Sequence, residues 1–276
     1  MTISVQTNVS ALIELQNLNK TNTQLQGAEN IVSTGLAINS AQDNASVWAI
    51  AQGQRADVNG LAAVKSSLNR ASSIADVAST AGASISDLLN QVQAQVVSAQ
   101  DPSLDVNSRA AINTDFQSLL KQITDTINNA QFDGANLLNN SLPNGIQFLA
   151  NAGATQFITL SSQDFSLGGA LITIPSTASL NTVTAAAVVL TQISSSIANV
   201  NAALGNIGSQ SQEITAQNTF VTNLSDVLNS GISNLVDADM AAESAQLQAL
   251  QVRQQLGVQA LSIANTAPQI ILSLFK

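Results

Sequence analysis

The sequence predicts a mainly α protein, a long antiparallel helical bundle or coiled coil with a small central β-hairpin region. Three observations carry that expectation. Apolar residues step by threes and fours without a slip over residues 61–99 and again over 183–235, the 3.5-residue repeat of a coiled-coil seam. Gly, Pro and β-branched residues gather between about Asn139 and Ser176, which interrupts the helical texture. The stretch from Asp237 to Lys276 is apolar on more than one side of a helix, so it needs several neighbours to cover it.

The first helical pattern runs from Val9 to Leu36: Leu12, Leu15, Leu18, Leu25, Ala28, Val32 and Leu36 recur at helical spacing, interrupted by Asn22. The Gly-, Asn-, Asp- and Ser-rich residues Ser33 to Asn44 read as a break. A second helix is expected from about Ala45 to Ala99, with Leu61, Val64, Leu68, Ala71, Ala75, Ala78, Gly82, Ile85, Leu89, Val92, Val96 and Ala99 on its seam. Gly82 and the alanines keep that seam narrow. Asp101-Pro102-Ser103 stops it. Asn107 or Ser108 is suited to cap a third helix carrying Ile112, Phe116, Leu119, Ile123 and Ala130, with Asp133-Gly134 marking its end.

In the middle of the chain Ile158-Thr159-Leu160 and Leu171-Ile172-Thr173-Ile174 have the texture of short strands, and Pro175 suits a strand end. Thr182 can cap a fourth helix whose seam runs through Val183, Ala186, Leu190, Ile193, Ile197, Val200, Leu204, Ile207, Ser211, Ile214, Asn218, Val221, Ser225, Leu228, Ile232 and Leu235, about 80 Å at 1.5 Å per residue. Ser211, Asn218 and Ser225 fall in one heptad class, where polar residues weaken a seam but can fix its register. The closing helix carries one stripe of Ala249, Val252, Leu256, Ala260, Ile263, Ala267, Ile270 and Leu274. A second cluster holds Leu247, Leu250, Val258, Leu261 and Ala264. Arg253 is the only charge between Ser244 and Phe275. Such a helix reads as one buried in an assembly.

Charged residues make up only 9% of the 276-residue chain, against about 25% in ordinary soluble domains. The net charge of −9 and the scattered Lys20, Arg55, Lys65, Arg70, Lys121 and Arg253 argue against nucleic acid as a partner. With no Cys and no His, disulfides, thiol nucleophiles, imidazole bases and the usual zinc sites are excluded. The carboxylates Asp237 and Asp239, and Asp43 beside Asn44, sit where helices begin and read as caps rather than as an acid–base pair or a cation site. Trp48 reads as a core or interface anchor. No phosphate loop, nucleophile elbow or metal-ligand spacing is found. The expectation is a protein without catalytic residues, cofactor or metal. The N-terminus lacks the pattern of a secretory signal, no run nears the ~18 apolar residues of a membrane span, and no membrane partner is expected.

Both ends of the chain resemble the bacterial flagellins. Thr7-Asn8-Val9-Ser10, Leu18-Asn19-Lys20, Ser33 to Ala41 and Ala49-Ile50-Ala51 are similar to the family's NTNVS, LNK, SSGLRINSA and AIA signatures. Phe132-Asp133-Gly134 with Leu137-Leu138 resembles the close of the N-terminal half. Asp237-Ala238-Asp239-Met240, Leu256-Gly257, Ala264-Asn265, Ala267-Pro268-Gln269 and Leu272-Ser273-Leu274 resemble the end of the C-terminal half. The likeness covers roughly residues 1–140 and 183–276, and the wording of the close looks most like the short flagellins of alphaproteobacteria.

The resemblance implies a secreted structural subunit that polymerises with itself, as a helical homopolymer, into the extracellular filament of the bacterial flagellum for swimming. It implies a terminal-helix domain of residues 1–40 plus 237–276 as filament core. A rod domain of residues 41–236 would lie outside it, with the hairpin region at about 139–182. Self-assembly is assigned to Val9, Leu12, Leu15, Leu18, Leu25, Val32, Leu247, Leu250, Val252, Leu256, Leu261, Ile263, Ile270 and Leu274. Other partners implied are the type III flagellar export apparatus, an export chaperone, and junction and cap proteins. A hook–filament junction protein of the same family, or an intracellular helical scaffold, are the alternative readings. The resemblance also implies recognition by the animal innate receptor for flagellin, which engages an Arg, a Leu four residues on and a Glu of the next helix. The aligned positions here are Gln91, Gln95 and Asp115, so two of three contacts change character.

Overall fold

The computed structural model describes residues 8–273, with side chains described from 8 to 266. Its elements in order are α1 (Val9–Thr34), α2 (Ala45–Ala99), α3 (Val106–Asn129), β1 (Gln131–Phe132), β2 (Ala135–Asn136), β3 (Ile146–Leu149), β4 (Phe157–Leu160), α4 (Val183–Val236) and α5 (Met240–Ser273). They form two compact units. One gathers the two ends of the chain, up to Ala56 and from Val227; the other is Asp57–Asp226.

In the central unit all twelve expected seam residues of α2, from Leu61 to Ala99, are buried. Their partners on α4 return every seventh residue, Ala186, Ile193, Val200, Ile207, Ile214 and Val221, and these too are buried. At Gly82 a Cβ would lie 2.5 Å from Cδ2 of Leu204, so a larger residue there would make that side chain shift. Lower down, Asn218 donates to Asn69 at 2.7 Å, a polar bond that ties α4 to α2 in one register.

The second buried row on α4 is Val189, Ser196 and Ala203, one residue before the expected Leu190, Ile197 and Leu204, which are half-buried, and Val183 at the start of the expected seam is exposed. This row exists because the segment Leu171–Ile174 lies along the helix instead of pairing as a strand. Thr173 N–H donates to Ser196 Oγ at 3.0 Å, Thr173 Oγ1 to the Gln192 carbonyl at 3.2 Å, and Asn199 Nδ2 to the Leu171 carbonyl at 3.3 Å. Its period-two pattern is real, since Ile172 and Ile174 are fully buried. Besides an isolated bridge between Leu167 and Ile172 and the Gly168 N–H on the Ile174 carbonyl at 2.8 Å, residues of α4 serve as its hydrogen-bond partners. The true hairpin is β3 with β4, antiparallel, Ile146 opposite Leu160 and Phe148 opposite Ile158. Leu149 N–H donates to Ser67 Oγ of α2 at 3.1 Å and Gln217 Nε2 of α4 to the Ala150 carbonyl at 2.8 Å, so the hairpin is pinned to both long helices.

Three local expectations are corrected. The cap of α3 is Asp105, which accepts from Ser108 N–H at 2.6 Å, rather than Asn107 or Ser108. A carboxylate at a helix N-terminus also meets the positive end of the dipole. On α3 the inward row is Phe116, Leu120, Ile123 and Ile127, with Leu119 only half-buried. Asp133-Gly134 does not end α3, which stops at Asn129. Its φ values of 50° and 75° make it the two-residue turn between β1 and β2, with Gln131 opposite Asn136, and such hairpin turns need positive φ at both positions. The Thr182 cap holds, accepting from Ala185 N–H at 3.1 Å.

The buried Arg109 of α3 donates to the carbonyls of Ala99 and Asp101. A cation thereby closes the C-terminus of α2, where free carbonyls and the negative end of the dipole lie.

Candidate self-assembly surface

In the terminal unit α1 and α5 pack antiparallel. Asn8 caps α1, its Oδ1 accepting from Ala11 N–H at 3.1 Å. Gly35 ends it in the left-handed region, with its N–H on the Ile31 carbonyl at 2.8 Å. Two connectors then run side by side: Leu36 bridges Asp237, Ala37 N–H donates to the Val236 carbonyl at 2.8 Å, and Ala238 N–H to the Gly35 carbonyl at 2.9 Å. Asp239 caps α5 through the N–H groups of Ala241 and Ala242.

Asp43 Oδ2 gathers the N–H groups of Asn39 and Ser40 and the Ser40 hydroxyl, and Asn44 caps α2 by accepting from Val47 N–H. The Ser40 N–H, then the Ser40 hydroxyl and the Asn39 N–H, hold the Asp43 carboxyl below its ordinary range. These carboxylates are turn and cap acceptors. Among the described residues no group of three or more His, Cys, Asp or Glu is gathered for a metal.

The α1–α5 seam is shallow. Its buried cluster is Leu25 and Ala28 of α1 with Leu250 of α5, and Leu247 packs against it. Farther along, Leu18 meets Gly257 at 3.3 Å from where a Cβ would sit, Gln254 Nε2 donates to Asn22 Oδ1 at 2.9 Å, and Asn8 Nδ2 donates to the Ala264 carbonyl at 2.7 Å. Asn22, which reads as an interruption of the stripe, thus belongs to the seam.

Of the residues assigned to self-assembly, the structure turns Leu18, Leu25, Val32, Leu247, Leu250 and Leu261 into buried or half-buried positions. It leaves Val9, Leu12 and Leu15 of α1 exposed, and likewise Val252 at 54%, Leu256 at 64% and Ile263 at 64% on α5. The two sides of α5 therefore divide. The cluster of Leu247, Leu250, Leu261 and Ala264 is turned inward, while the longer stripe through Val252, Leu256 and Ile263 faces outward. Val258, expected on the same side as these four, is exposed, because Gly257 occupies that face. Leu235 is likewise displaced from its seam by Val236, which is buried. The side chain of Ile270, and Leu274, lie outside the described residues.

In the central unit Gln91, Gln95 and Asp115 are brought together. They line one groove of about 400 Å³ between α2 and α3, with Ser118, Leu119 and Gln122. Sequence reasoning missed Asn8 as an interhelical donor and Gln254 as the partner of Asn22. The N-cap position just before a helical run was a legible signal for Asn8, whereas the Gln254 bond depends on helix register.

Two units built on paired long helices, one of them a thin pair with exposed apolar residues, have the make-up of a structural subunit. Comparison with known proteins agrees. The family model for the bacterial flagellin N-terminal helical region matches residues 5–142, and that for the C-terminal helical region matches residues 190–275. The chain is 50% identical to flagellin FljJ of Caulobacter vibrioides, over all of this chain and 99% of that one. It is 36% identical to a flagellin of Brucella melitensis and 30% identical to flagellin C of Rhizobium meliloti, each over 99% of both chains. The crystal structure of Bacillus cereus flagellin overlays on 56% of this chain and 88% of its own at a TM-score of 0.49 and 19% identity, too little to add weight. This chain belongs to the bacterial flagellins, the structural subunits of the extracellular flagellar filament.

Proposed function

We propose that the outward stripes of α1 and α5 are the surfaces through which copies of this chain polymerise, with residues 1–40 and 237–276 as filament core and residues 41–236 as the rod around it. The observation that carries this is apolar exposure on both members of one helical pair: Val9, Leu12 and Leu15 on one, Val252, Leu256 and Ile263 on the other. Burying a side chain of this size contributes about 1.5–3 kcal/mol. A patch repeated on every copy and matched to a different patch on the next gives open helical growth rather than a closed ring.

Catalysis has no part in this reading; export apparatus, chaperone, junction and cap proteins are the further partners. Salt- or seed-induced polymerisation of purified protein, read by electron microscopy, is the test. Leu256→Ser with Ile263→Ser should leave the subunit folded and filaments absent; normal filaments from that double variant would refute the assignment.

The groove of Gln91, Gln95 and Asp115 is read as a weakened site for the animal innate receptor. Gln91 lacks the guanidinium fork and Gln95 sets an amide where an apolar anchor is expected. Anchors of these kinds commonly carry ~2 kcal/mol or more apiece, so several hundredfold weaker detection is expected. Gln91→Arg with Gln95→Leu should raise signalling by monomer in a receptor reporter assay. Wild-type signalling as strong as that of receptor-competent flagellins would overturn this.

A further inference from the structure

We propose that Asn8 is a positioning residue for assembly: its side-chain amide replaces the N–H that Pro268 cannot give to α5, and this sets the register in which the two ends of the chain pair. The proposal rests on the reading above, that the paired ends form the polymerising surface.

Inside an α-helix the carbonyl of residue i accepts from the N–H of residue i+4. For Ala264 that residue is Pro268, which has no N–H. Ala264 lies within α5, on its half-buried face, where an unmet carbonyl is unfavourable. Asn8 Nδ2 meets it at 2.7 Å, while Oδ1 of the same side chain caps α1 on Ala11 N–H at 3.1 Å. The neighbouring Ile263 carbonyl receives the Thr266 hydroxyl at 2.9 Å, so side chains supply donors to two successive carbonyls just before the proline.

The bond also carries information. A seam of Leu and Ala at heptad spacing stays apolar if one helix slides by seven residues. Only the observed register brings Asn8 to the carbonyl that the proline leaves free and, two heptads further along α1, Asn22 to Gln254. Asn is the residue type that does both jobs, since Asp and Ser cap helices as well but Asp cannot donate and Ser is too short to span to the neighbouring helix.

The test uses Asn8→Ser, which keeps a capping oxygen, adds no charge and removes the reach, in full-length chains with and without Pro268→Ala. With Pro268 present, the critical concentration for seeded polymerisation should rise about tenfold, the cost of one unmet, half-buried acceptor. With Pro268→Ala the N–H of residue 268 returns to the Ala264 carbonyl, and the same Asn8→Ser change should then shift it less than about threefold. Reading the effect as a ratio within each background cancels whatever Pro268→Ala does alone. Equal ratios in both backgrounds, or no effect of Asn8→Ser, would overturn the clasp. Solid-state NMR of wild-type filaments gives an independent readout: the Asn8 side-chain nitrogen should lie at hydrogen-bond distance from the Ala264 carbonyl, and a solvent-facing amide would equally overturn it. Leu256→Ser run alongside separates the two ideas. If it blocks filaments while Asn8→Ser does not, the clasp alone fails; if both assemble normally, the polymerising surface fails with it.

Discussion

The rod and the paired ends are written in the same heptad code but reach different degrees of completion. In the rod, α2 buries all twelve of its seam residues, α4 buries two rows, and the segment through Ile172 and Ile174 together with the β3–β4 hairpin closes further sides. On the α1–α5 seam of the terminal unit one small cluster of Leu25, Ala28 and Leu250 is buried, and large apolar residues stay in water. The contrast teaches that periodicity predicts helices and stripes, whereas the number of neighbours decides whether a stripe becomes a core. The rod has its neighbours in its own chain. On the reading proposed above, the ends find theirs on other copies.

The largest blow to this comparison is removal of the ends. A chain lacking residues 1–36 and 240–276 should remain a helical, soluble monomer that never polymerises; filaments from it, seen by electron microscopy, would erase the distinction. Single substitutions sharpen it in opposite directions. Phe116→Ala, at a fully buried rod position, should cost about 3–5 kcal/mol in urea unfolding of the monomer. Leu256→Ala, by contrast, should move that unfolding by no more than ~0.5 kcal/mol and weaken polymerisation about tenfold, the effect of one apolar contact between copies. A reversal of the two outcomes would mean that the stripe is already covered within the monomer.

A subtler expectation concerns order before assembly. With so small a buried cluster, the ends recover little of the conformational entropy that ordering removes. Amides of residues 247–264 should exchange fast in the monomer and slowly in filaments, and strong protection before polymerisation would count against an incomplete pair. The smallest effect is expected at Asp43. Hydrogen bonds from Ser40 and Asn39 lower its pKa in the fold, so its contribution is present above the ordinary carboxylate value and is lost as pH falls through the depressed one. Amide shifts of Asn39 and Ser40 in an acid titration should move below the usual carboxylate range, and Asp43→Asn should abolish that movement.

Much of this was legible in the chain itself. The span of α2, the Thr182 cap of α4, the break after Thr34 and the seam from Leu61 to Ala99 follow from rules that act within a turn or two of helix: side-chain period, capping and the missing N–H of proline. The family was legible too, because its motifs lie in order at both ends. The outward or inward sense of the α5 stripes was not, since both have helical spacing and equal grease. Leu250 and Gly257 were selected by what α1 offers opposite them.

The remaining corrections share that cause. Leu171–Ile174 has the alternation of a strand, and alternation states only which side chains go inward; Ser196 and Asn199 of α4 decided what the backbone would bond to. Asp133-Gly134 is a turn in either reading, and the chain reversal that pairs Gln131 with Asn136 made it a hairpin rather than a helix end. Sequence alone determined where the helices run and that their faces must be covered, because those are local properties of side-chain spacing. Tertiary structure decided which face meets which, because that choice depends on the partners that distant segments bring to it.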